Sequence, residues 1–285
     1  MTTHPDPRLV TNAFLVDPAW LAEHLADVLV VDCRFGGDRD CSLTAYRAGH
    51  VPGAIHSYWL DLCDVDTSVM TLLPDPGRAA AALSALGVGP ASLVVAYADT
   101  ANLYAARLWH LLRVHGHSAV WLLDGGLEAW TAAGGALETG DVAPRPTVFT
   151  SVAVDPPAAI EVDELRARLD ELQLVDTRSP AEHTGTDVRA ARGGHLPGAR
   201  LLPWTELVDD QGRFLAPGDI ARRATEAGLD PAAETVTYCQ GGVRAAHSAL
   251  ALGLAGFDRV RVYNGSWAQW GNDPTLPIVT PAGAS

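Results

Sequence analysis

Short apolar runs alternate with longer amphipathic stretches along most of the chain, a pattern that predicts strands alternating with helices. The predicted strands are four or five residues long: Val28–Asp32, Leu93–Tyr97, Ala119–Leu123, Leu172–Asp176, Thr235–Tyr238 and Arg259–Tyr263. The helices predicted between them are Gly77–Leu86, Ala101–Val114, Asp219–Ala227 and Arg244–Leu254. Such alternation is typical of parallel sheets covered by helices on both faces, so the predicted fold class is α/β.

The second half of the chain repeats the first. Four segments recur in the same order: Val31–Arg34 as Val175–Arg178, Gly49–Ala54 as Gly194–Ala199, Ala85–Tyr97 as Ala227–Tyr238, and Leu123–Trp130 as Tyr263–Trp270. The offsets between the copies lie between 140 and 145 residues. We therefore predict two homologous domains, at residues 8–135 and 157–275, joined by a linker at 136–156 whose prolines favour an extended chain.

Composition narrows the possible chemistry. All 20 cationic residues are arginine, the chain contains no lysine, and 34 acidic residues give a net charge of −14. The lack of lysine excludes Schiff-base enzymes, pyridoxal-phosphate enzymes and a Walker A loop, since each needs a lysine amine. The negative charge argues against binding to nucleic acid or to anionic membranes. No apolar run approaches 18 residues and the first residues show no signal pattern, so we expect a cytoplasmic protein.

Cys239 has the surroundings that point most clearly to catalysis. It follows the predicted strand Thr235–Tyr238 and opens a glycine-containing loop that leads into the helix at Arg244. In parallel α/β sheets, ligand sites lie beyond the carboxyl ends of the strands. A glycine-rich loop at a helix N-terminus turns successive N–H groups toward one point, and such a nest binds anions. A thiol at its centre is expected to ionise near neutral pH and to act as a nucleophile.

The other three cysteines, Cys33, Cys41 and Cys63, are predicted to be structural. None of them precedes a glycine loop, and Cys33 matches Thr177 in the repeat. No Cys-x-x-Cys pair occurs, which argues against zinc ribbons and thioredoxin-type sites, and the spacing does not suggest a disulfide framework.

With these motifs the chain resembles the tandem-domain rhodanese and 3-mercaptopyruvate sulfurtransferase family over nearly its whole length. The resemblance rests on Ala48–Ala54, Leu103–Arg107, Asp124–Gly126 with Trp130, Leu174–Arg178, Gly194–Ala199, Tyr238 and Cys239 with its six-residue loop, and Tyr263–Trp267. It implies two rhodanese-like domains of which only the second is catalytic. Aligning the repeats places Ala98 opposite Cys239, and alanine cannot be a nucleophile, so we expect the first domain to be inactive.

The resemblance also implies a mechanism. The Cys239 thiolate attacks the outer sulfur of thiosulfate or 3-mercaptopyruvate, which leaves a persulfide on the protein and releases sulfite or pyruvate. A thiophilic acceptor (cyanide, a small thiol or a protein thiol) then takes the sulfur, and the covalent intermediate gives ping-pong kinetics. No metal or organic cofactor is required. The expected partners are the small-molecule donor and acceptor, with no nucleic acid and no membrane.

The loop after Cys239 departs from both patterns known in this family, which leaves the donor open. Thiosulfate enzymes often carry cationic residues at the positions that Gln240 and Gly241 occupy here. Mercaptopyruvate enzymes carry a serine at the position of Gly241. The residues expected to bind the donor within the loop are Gln240, Gly241, Gly242, Val243 and Arg244. Arg244 either contacts the anion directly or turns away to pair with an acid.

Residues outside the loop are also expected to contact the donor. Family members use an arginine six residues after the aspartate that matches Asp176, but this position holds Glu182, which would repel an anion. Arg189 and Arg192 are predicted to substitute, because an arginine fork suits a sulfonate or carboxylate. Trp267 is predicted to form a wall of the pocket.

Mercaptopyruvate enzymes of this family also use an aspartate and a histidine from the first domain. Asp61 aligns with that aspartate and is predicted to bind substrate, whereas the position of the histidine holds Thr71. This difference makes thiosulfate the slightly preferred donor. His247, three residues after Arg244, is predicted to lie on the helix surface or at an interface.

Two other classes of function stay open. A thiol phosphatase or arsenate reductase needs five residues between its cysteine and arginine to cradle phosphate, whereas four residues separate Cys239 from Arg244. A non-enzymatic sulfur-carrier or partner-binding module can use the same fold. The shorter loop disfavours phosphatase activity, and the presence of Cys239 with an intact glycine loop favours chemistry over the non-enzymatic module.

Overall fold

The computed structural model describes residues 14–64, 66–69, 71–154 and 158–280. The chain forms two compact units. The first comprises Met1–Cys63, Leu73–Val154 and Asp210–Phe214, and the second comprises Asp64–Leu72, Asp155–Asp209 and Leu215–Ser285. Each unit therefore contains most of one repeat together with a short segment from the other half of the chain.

The first unit contains a five-stranded parallel sheet with the order β1-β5-β4-β2-β3. Its strands are Leu15–Val16 (β1), Leu29–Asp32 (β2), Ile55–His56 (β3), Val94–Tyr97 (β4) and Val120–Leu123 (β5). Its helices are Pro18–His24 (α1), Arg39–Ala48 (α2), Pro76–Ala85 (α3), Leu103–Val114 (α4) and Gly126–Ala132 (α5). The central strand β4 is buried along its whole length, as expected for a strand that is covered on both faces.

The second unit repeats this topology with the strand order β6-β10-β9-β7-β8, again all parallel. Its strands are Ala159–Ile160 (β6), Gln173–Asp176 (β7), Arg200–Leu201 (β8), Thr235–Tyr238 (β9) and Val260–Tyr263 (β10). Its helices are Val162–Ala167 (α6), Pro180–Thr184 (α7), Pro217–Glu226 (α8), Val243–Leu254 (α9) and Ser266–Trp270 (α10). Within the described part of the chain, no helix is both long and apolar enough to cross a bilayer.

Both faces of the second sheet are buried, as the last residues of β10 show. Tyr263 packs in a core cluster with Trp267 of α10, whereas its neighbour Val262 packs in a separate cluster with Ala249 of α9. Consecutive side chains of a strand point to opposite faces, so helices cover the two sides of this sheet. The predicted α/β class, with two tandem parallel sheets flanked by helices, is confirmed.

One predicted helix begins later than its apolar pattern suggests. The pattern predicts a helix from Ala101, but α4 begins at Leu103. The residues Thr100, Ala101 and Asn102 have φ values of 46°, 55° and 61°, which is the left-handed region and cannot continue a right-handed helix.

Candidate active site

Cys239 lies directly after β9, at the carboxyl edge of the second sheet, and its side chain is buried. Its backbone N–H donates to the hydroxyl of Ser266 at 3.1 Å, and its carbonyl accepts from the N–H of Trp267 at 2.9 Å. The carbonyl of Gln240 accepts from the N–H of Ala268 at 2.8 Å. The start of α10 therefore fixes the main chain of the first two loop residues.

Gly242 brings the loop back to the sulfur, since its N–H donates to Sγ of Cys239 at 3.1 Å. Its φ is 84° immediately before α9, a left-handed conformation that glycine adopts without the clash of a Cβ. Hydrogen bonds to a charged acceptor are the stronger ones, so this N–H stabilises a sulfur atom that carries negative charge. The positive end of the α9 dipole acts in the same direction.

Arg244, the second residue of α9, forms a two-pronged ion pair with Glu182 of α7. Its two terminal nitrogens donate to the two carboxylate oxygens at 2.7 and 2.8 Å. Burial alone lowers the pKa of Arg244, but the hydrogen bond to Glu182 and the negative charge of the Cys239 sulfur outweigh it and raise the pKa. Arg244 therefore pairs with an acid, and its positive charge also interacts electrostatically with Cys239.

Glu182 is not an uncompensated negative charge at the site. Burial raises the pKa of its carboxyl, but hydrogen bonds from Arg244 and from the N–H of Ser179 outweigh this and lower the pKa to about 2. Glu182 also completes a capping box at the start of α7, where it accepts from the Ser179 N–H at 3.0 Å. Arg244 thus offsets part of the negative charge of Glu182, and the repulsion of an anionic donor by Glu182 stays a prediction.

Arg189 lies beside the loop with a side chain that is 53% exposed. Its guanidinium pairs with Asp187 at 2.8 Å and approaches Glu182 at 3.9 Å. Its backbone carbonyl accepts from Nε2 of Gln240 at 3.0 Å, which ties this segment to the second residue of the loop. Solvent thus reaches the Arg189 guanidinium at a position adjacent to the loop.

Arg192, the other predicted donor ligand, is occupied by backbone carbonyls at the end of α10. Its guanidinium donates to the carbonyls of Trp270 at 2.8 Å, Leu276 at 2.9 Å, Gly271 at 3.3 Å and Asp273. The last carbonyls of a helix need partners from outside the helix, and Arg192 supplies them here. These contacts describe Arg192 as a support for the end of α10, and its contact with a donor stays a prediction.

Trp267 supports the loop through its backbone rather than through its ring. The side chain is 1% exposed and belongs to the core of the second unit. Its indole Nε1 donates to the carbonyl of Arg192 at 3.0 Å, and the guanidinium of Arg178 lies 4.6 Å from the centre of its rings. The ring thus packs in the core, and the contact with Cys239 is the hydrogen bond from the Trp267 N–H.

Asp61 belongs to the first unit, where it lies in the 3₁₀ turn Trp59–Leu62. Both of its carboxylate oxygens accept from the guanidinium of Arg39, one of them at 2.7 Å. This pairing describes Asp61 within its own unit, so its contact with a substrate stays a prediction.

Thr71 belongs to the second unit and lies against the candidate catalytic loop, residues 239–244. A Cβ added to Gly241 would lie 3.0 Å from side-chain atoms of Thr71, which is tighter than ordinary contacts. A serine at position 241 therefore has little room here, and the glycine fits the close approach of Thr71.

His247 is fully buried, which corrects the expectation that it lies on the surface of its helix. Its ring is edge-on to the ring of Trp204, with the ring centres 5.5 Å apart. Trp204 begins the 3₁₀ turn Trp204–Leu207, which packs against α9 and covers this position.

A buried charge network lies at the ends of β7 and β9, next to Cys239. Asp176 accepts from Arg178 at 2.6 Å, from the hydroxyl of Tyr238 at 2.9 Å, and is 2.9 Å from Nδ1 of His183. Burial raises the pKa of Asp176, but the hydrogen bonds from His183 and Arg178 outweigh it and hold the pKa below its ordinary value. The network fixes the strand end from which Cys239 projects.

The first unit contains the same network without the nucleophile. Asp32 accepts from Arg34 at 2.6 Å and from the hydroxyl of Tyr97 at 2.7 Å. The next residue is Ala98, whose N–H donates to Oδ1 of Asn102 at 2.7 Å. Because the network occurs in both units, we assign it to the fold rather than to the chemistry.

The sequence did not predict the contacts of two residues of the site. The hydroxyl of Ser266 accepts a hydrogen bond from the N–H of Cys239, and nothing in the local sequence pattern predicts that contact. Glu182 holds Arg244, and the Ser-x-x-Glu spacing from Ser179 is a capping-box signal that places it at a helix start.

Among the residues that the structure describes, no three His, Cys, Asp or Glu side chains are grouped to hold a metal ion.

Both halves of the chain match a known family model. The model describes the rhodanese-like domain, and it matches residues 17–133 and 161–273. A Pseudomonas aeruginosa protein named probable 3-mercaptopyruvate sulfurtransferase is 38% identical, over 95% of this chain and 99% of its own length. A Corynebacterium glutamicum thiosulfate sulfurtransferase is 35% identical, over 93% of this chain and 90% of its own.

Solved structures of an ergothioneine biosynthesis enzyme share the fold. The Chlorobium limicola enzyme in complex with trimethyl histidine has a TM-score of 0.84 and 25% identity, covering 93% of this chain and 70% of its own. A persulfide form of the enzyme EanB, in a tetrahedral intermediate state with ergothioneine, gives the same values. The similarity therefore extends across both repeats.

Proposed function

Because this chain belongs to the rhodanese-like family, we propose that it carries out sulfur transfer through a persulfide on Cys239. The observation that carries the proposal is the hydrogen bond from the Gly242 N–H to the Cys239 sulfur, at the N-terminus of α9. A sulfur held there as an anion is stabilised by that N–H and by the helix dipole. The matching position in the first unit is Ala98, which has no nucleophilic atom.

In the first half-reaction, the Cys239 thiolate attacks the outer sulfur of thiosulfate or the single sulfur of 3-mercaptopyruvate. With thiosulfate, the attacking electron pair forms the new S–S bond, and the electron pair of the donor S–S bond leaves with sulfite. With 3-mercaptopyruvate, the C–S bond breaks and the carbon takes up a proton, which releases pyruvate. Either donor leaves the same persulfide, so the protein returns to one intermediate.

In the second half-reaction, an acceptor attacks the outer sulfur of the persulfide. The electron pair of the S–S bond returns to Cys239, which regenerates the thiolate that Gly242 and Arg244 stabilise. Cyanide gives thiocyanate, and a small-molecule or protein thiol gives a new persulfide. The cycle uses no external electron carrier and no cofactor.

We assign donor binding to the loop residues before Arg244 and to Arg189, with thiosulfate as the slightly preferred donor; Arg244 pairs with an acid, the second of its two predicted roles. The exposed guanidinium of Arg189 supports this assignment, since an arginine fork binds the oxygens of an anion. The crowding between Gly241 and Thr71 argues against the serine-containing loop of mercaptopyruvate enzymes. Asp61 is retained as a candidate substrate ligand, whereas the contacts of Arg192 and the ring of Trp267 favour support of α10 and of the core.

The test is the Cys239→Ser variant, assayed with thiosulfate and with 3-mercaptopyruvate. We expect it to transfer no sulfur from either donor, because a hydroxyl is a far weaker nucleophile than a thiolate. Intact mass of the wild-type protein after incubation with donor should show one added sulfur atom, and the variant should show none. Substantial transfer by the variant would sink the assignment.

The same preparations separate the alternative functions. Phosphate release in place of thiocyanate formation would identify a thiol phosphatase. Capture of a protein partner without turnover would identify a carrier or binding module. The ratio of kcat/KM for the two donors decides between a thiosulfate and a 3-mercaptopyruvate enzyme.

A further inference from the structure

The ion pair between Glu182 and Arg244 joins two elements on either side of the catalytic loop. Glu182 lies in the first turn of α7 and its side chain is 2% exposed, whereas Arg244 lies in the first turn of α9 and its side chain is 17% exposed. Both terminal nitrogens of the arginine are used, so the plane of the guanidinium is fixed as well as its position. A free arginine side chain at this place has many rotamers.

The pair occurs only in the repeat that carries the cysteine. The residue of the first unit that matches Glu182, six residues after the strand-end aspartate, is Asp38, which caps α2 through the N–H of Cys41. The first turn of α4, which matches that of α9, begins with Leu103 and Tyr104 and has no cation. The charge network that stabilises the strand ends is present in both units, so the fold does not need the Glu182–Arg244 pair.

Glu182 has two opposite effects on sulfur transfer, one on the sulfur of Cys239 and one on the incoming donor. It holds Arg244, whose guanidinium interacts with that sulfur, and this favours the thiolate and the persulfide. Its own negative charge cancels much of the positive charge that an incoming anionic donor would meet. The first effect depends on the length of the side chain, and the second depends on its charge.

We propose that Glu182 is a positioning residue for sulfur transfer, which holds the Arg244 guanidinium against the Cys239 sulfur and weakens donor binding in exchange. The proposal rests on the function proposed above. It assigns Arg244 to the sulfur that stays on the protein, rather than to the oxygens of the donor. The sulfite or pyruvate that is released therefore leaves a site with little net charge.

Two variants separate the length of Glu182 from its charge. Glu182→Asp keeps the charge but is one methylene too short to hold Arg244 in the same place, so we expect kcat to fall about tenfold while KM for thiosulfate stays at the wild-type value. Glu182→Gln keeps the length and one acceptor oxygen but loses the charge, so we expect KM for thiosulfate to fall, with a smaller loss in kcat. Rates are expressed per titratable Cys239 thiol, so that a loss of folded protein does not count.

The matched control is Asp38→Asn, which removes a carboxylate at the equivalent position of the first unit and keeps an N-cap side chain. It should leave kcat and KM unchanged. Wild-type kcat in both Glu182 variants overturns the proposal, and so does a loss of kcat that vanishes once rates are expressed per titrated thiol. If a single variant does not fold, Glu182→Gln combined with Arg244→Met removes both charges together, and wild-type kcat in that protein also overturns the proposal.

A measurement without any donor distinguishes this proposal from the proposed function. The rate at which iodoacetamide alkylates Cys239 at neutral pH should fall about tenfold in Glu182→Asp, because Arg244 is displaced from the sulfur and the thiolate is the reactive form. If the wild-type protein transfers no sulfur but this slower alkylation is found, the proposed function fails and the positioning role stands. An unchanged rate of alkylation overturns the positioning role even in an active enzyme.

Discussion

At the scale of single residues, the four cysteines differ in what their surroundings do to ionisation. Burial raises the pKa of Cys33 well above its ordinary value, and burial also raises the pKa of Cys63. Cys41 is exposed, but its hydrogen bond with a neighbouring aspartate raises its pKa as well. Cys239 instead receives the Gly242 N–H at its sulfur. Of the four cysteines, Cys239 is the one whose sulfur accepts a backbone N–H at the N-terminus of a helix.

We therefore expect iodoacetamide at neutral pH to alkylate Cys239 before any other cysteine, since the thiolate is the reactive form. The single variants Cys33→Ser, Cys41→Ser and Cys63→Ser should keep most of the sulfur transfer. Peptide mass spectrometry after brief alkylation and thiocyanate assays of the three variants check this. Loss of transfer in any of these variants that is still folded would mean that a second cysteine takes part.

At the scale of elements, the junction between β9 and α9 places the sulfur and its N–H donor together. Gly242 is the last residue before the helix, and its left-handed conformation turns the N–H back to Cys239. Gly256 follows the other end of α9 with nearly the same φ, 87°, and a Cβ there would meet nothing within 4 Å. The two glycines share a conformation but not a contact with the sulfur.

Gly242→Ala and Gly256→Ala should each cost about 1–2 kcal/mol in the free energy of unfolding, because alanine is strained in the left-handed region. Only Gly242→Ala should also slow sulfur transfer, by about tenfold or more, because relief of the strain moves an N–H aimed at the charged sulfur. Denaturant unfolding and steady-state assays of both variants measure the two effects. Equal transfer rates in the two variants would contradict the role of the Gly242 N–H.

The long strands and the catalytic loop could be predicted from sequence because their signals are local. The run Thr235–Tyr238, the glycines after Cys239 and the helix that follows are neighbours in the chain. The edge strands β1, β3, β6 and β8 were not predicted, since two residues are too few to show a period. The partner of Arg244 could not be predicted either, because Glu182 lies 62 residues away and only the packing of α7 beside the loop brings them together.

At the scale of the whole molecule, the two repeats provide an internal comparison. Their sheets have the same strand order, and their strand ends have the same Asp–Arg–Tyr network. The loops after β4 and β9 differ: Ala98 stands four residues before the cap of α4, whereas Cys239 stands three residues before the cap of α9. The first loop also contains Asp99, where burial and the charge of Glu128 raise the carboxyl pKa.

A cysteine at position 98 should therefore not restore activity. We expect Ala98→Cys combined with Cys239→Ser to transfer no more sulfur than Cys239→Ser alone, because the longer loop lacks a matching N–H and carries an acid beside the sulfur. Thiocyanate formation from thiosulfate and cyanide measures this, with circular dichroism to verify folding. Sulfur transfer by the double variant would show that a thiol at a strand end is sufficient.

Each unit includes a short segment from the other half of the chain, so the two repeats cannot be separated by cutting the sequence at one point. Asp64–Leu72 belongs to the second unit although it lies in the first half of the chain, and it brings Thr71 against Gly241 of the catalytic loop. A gene truncated to its second half would encode a catalytic unit without this segment. The second half alone would therefore carry the Cys239 loop without the side chain of Thr71 that packs on it.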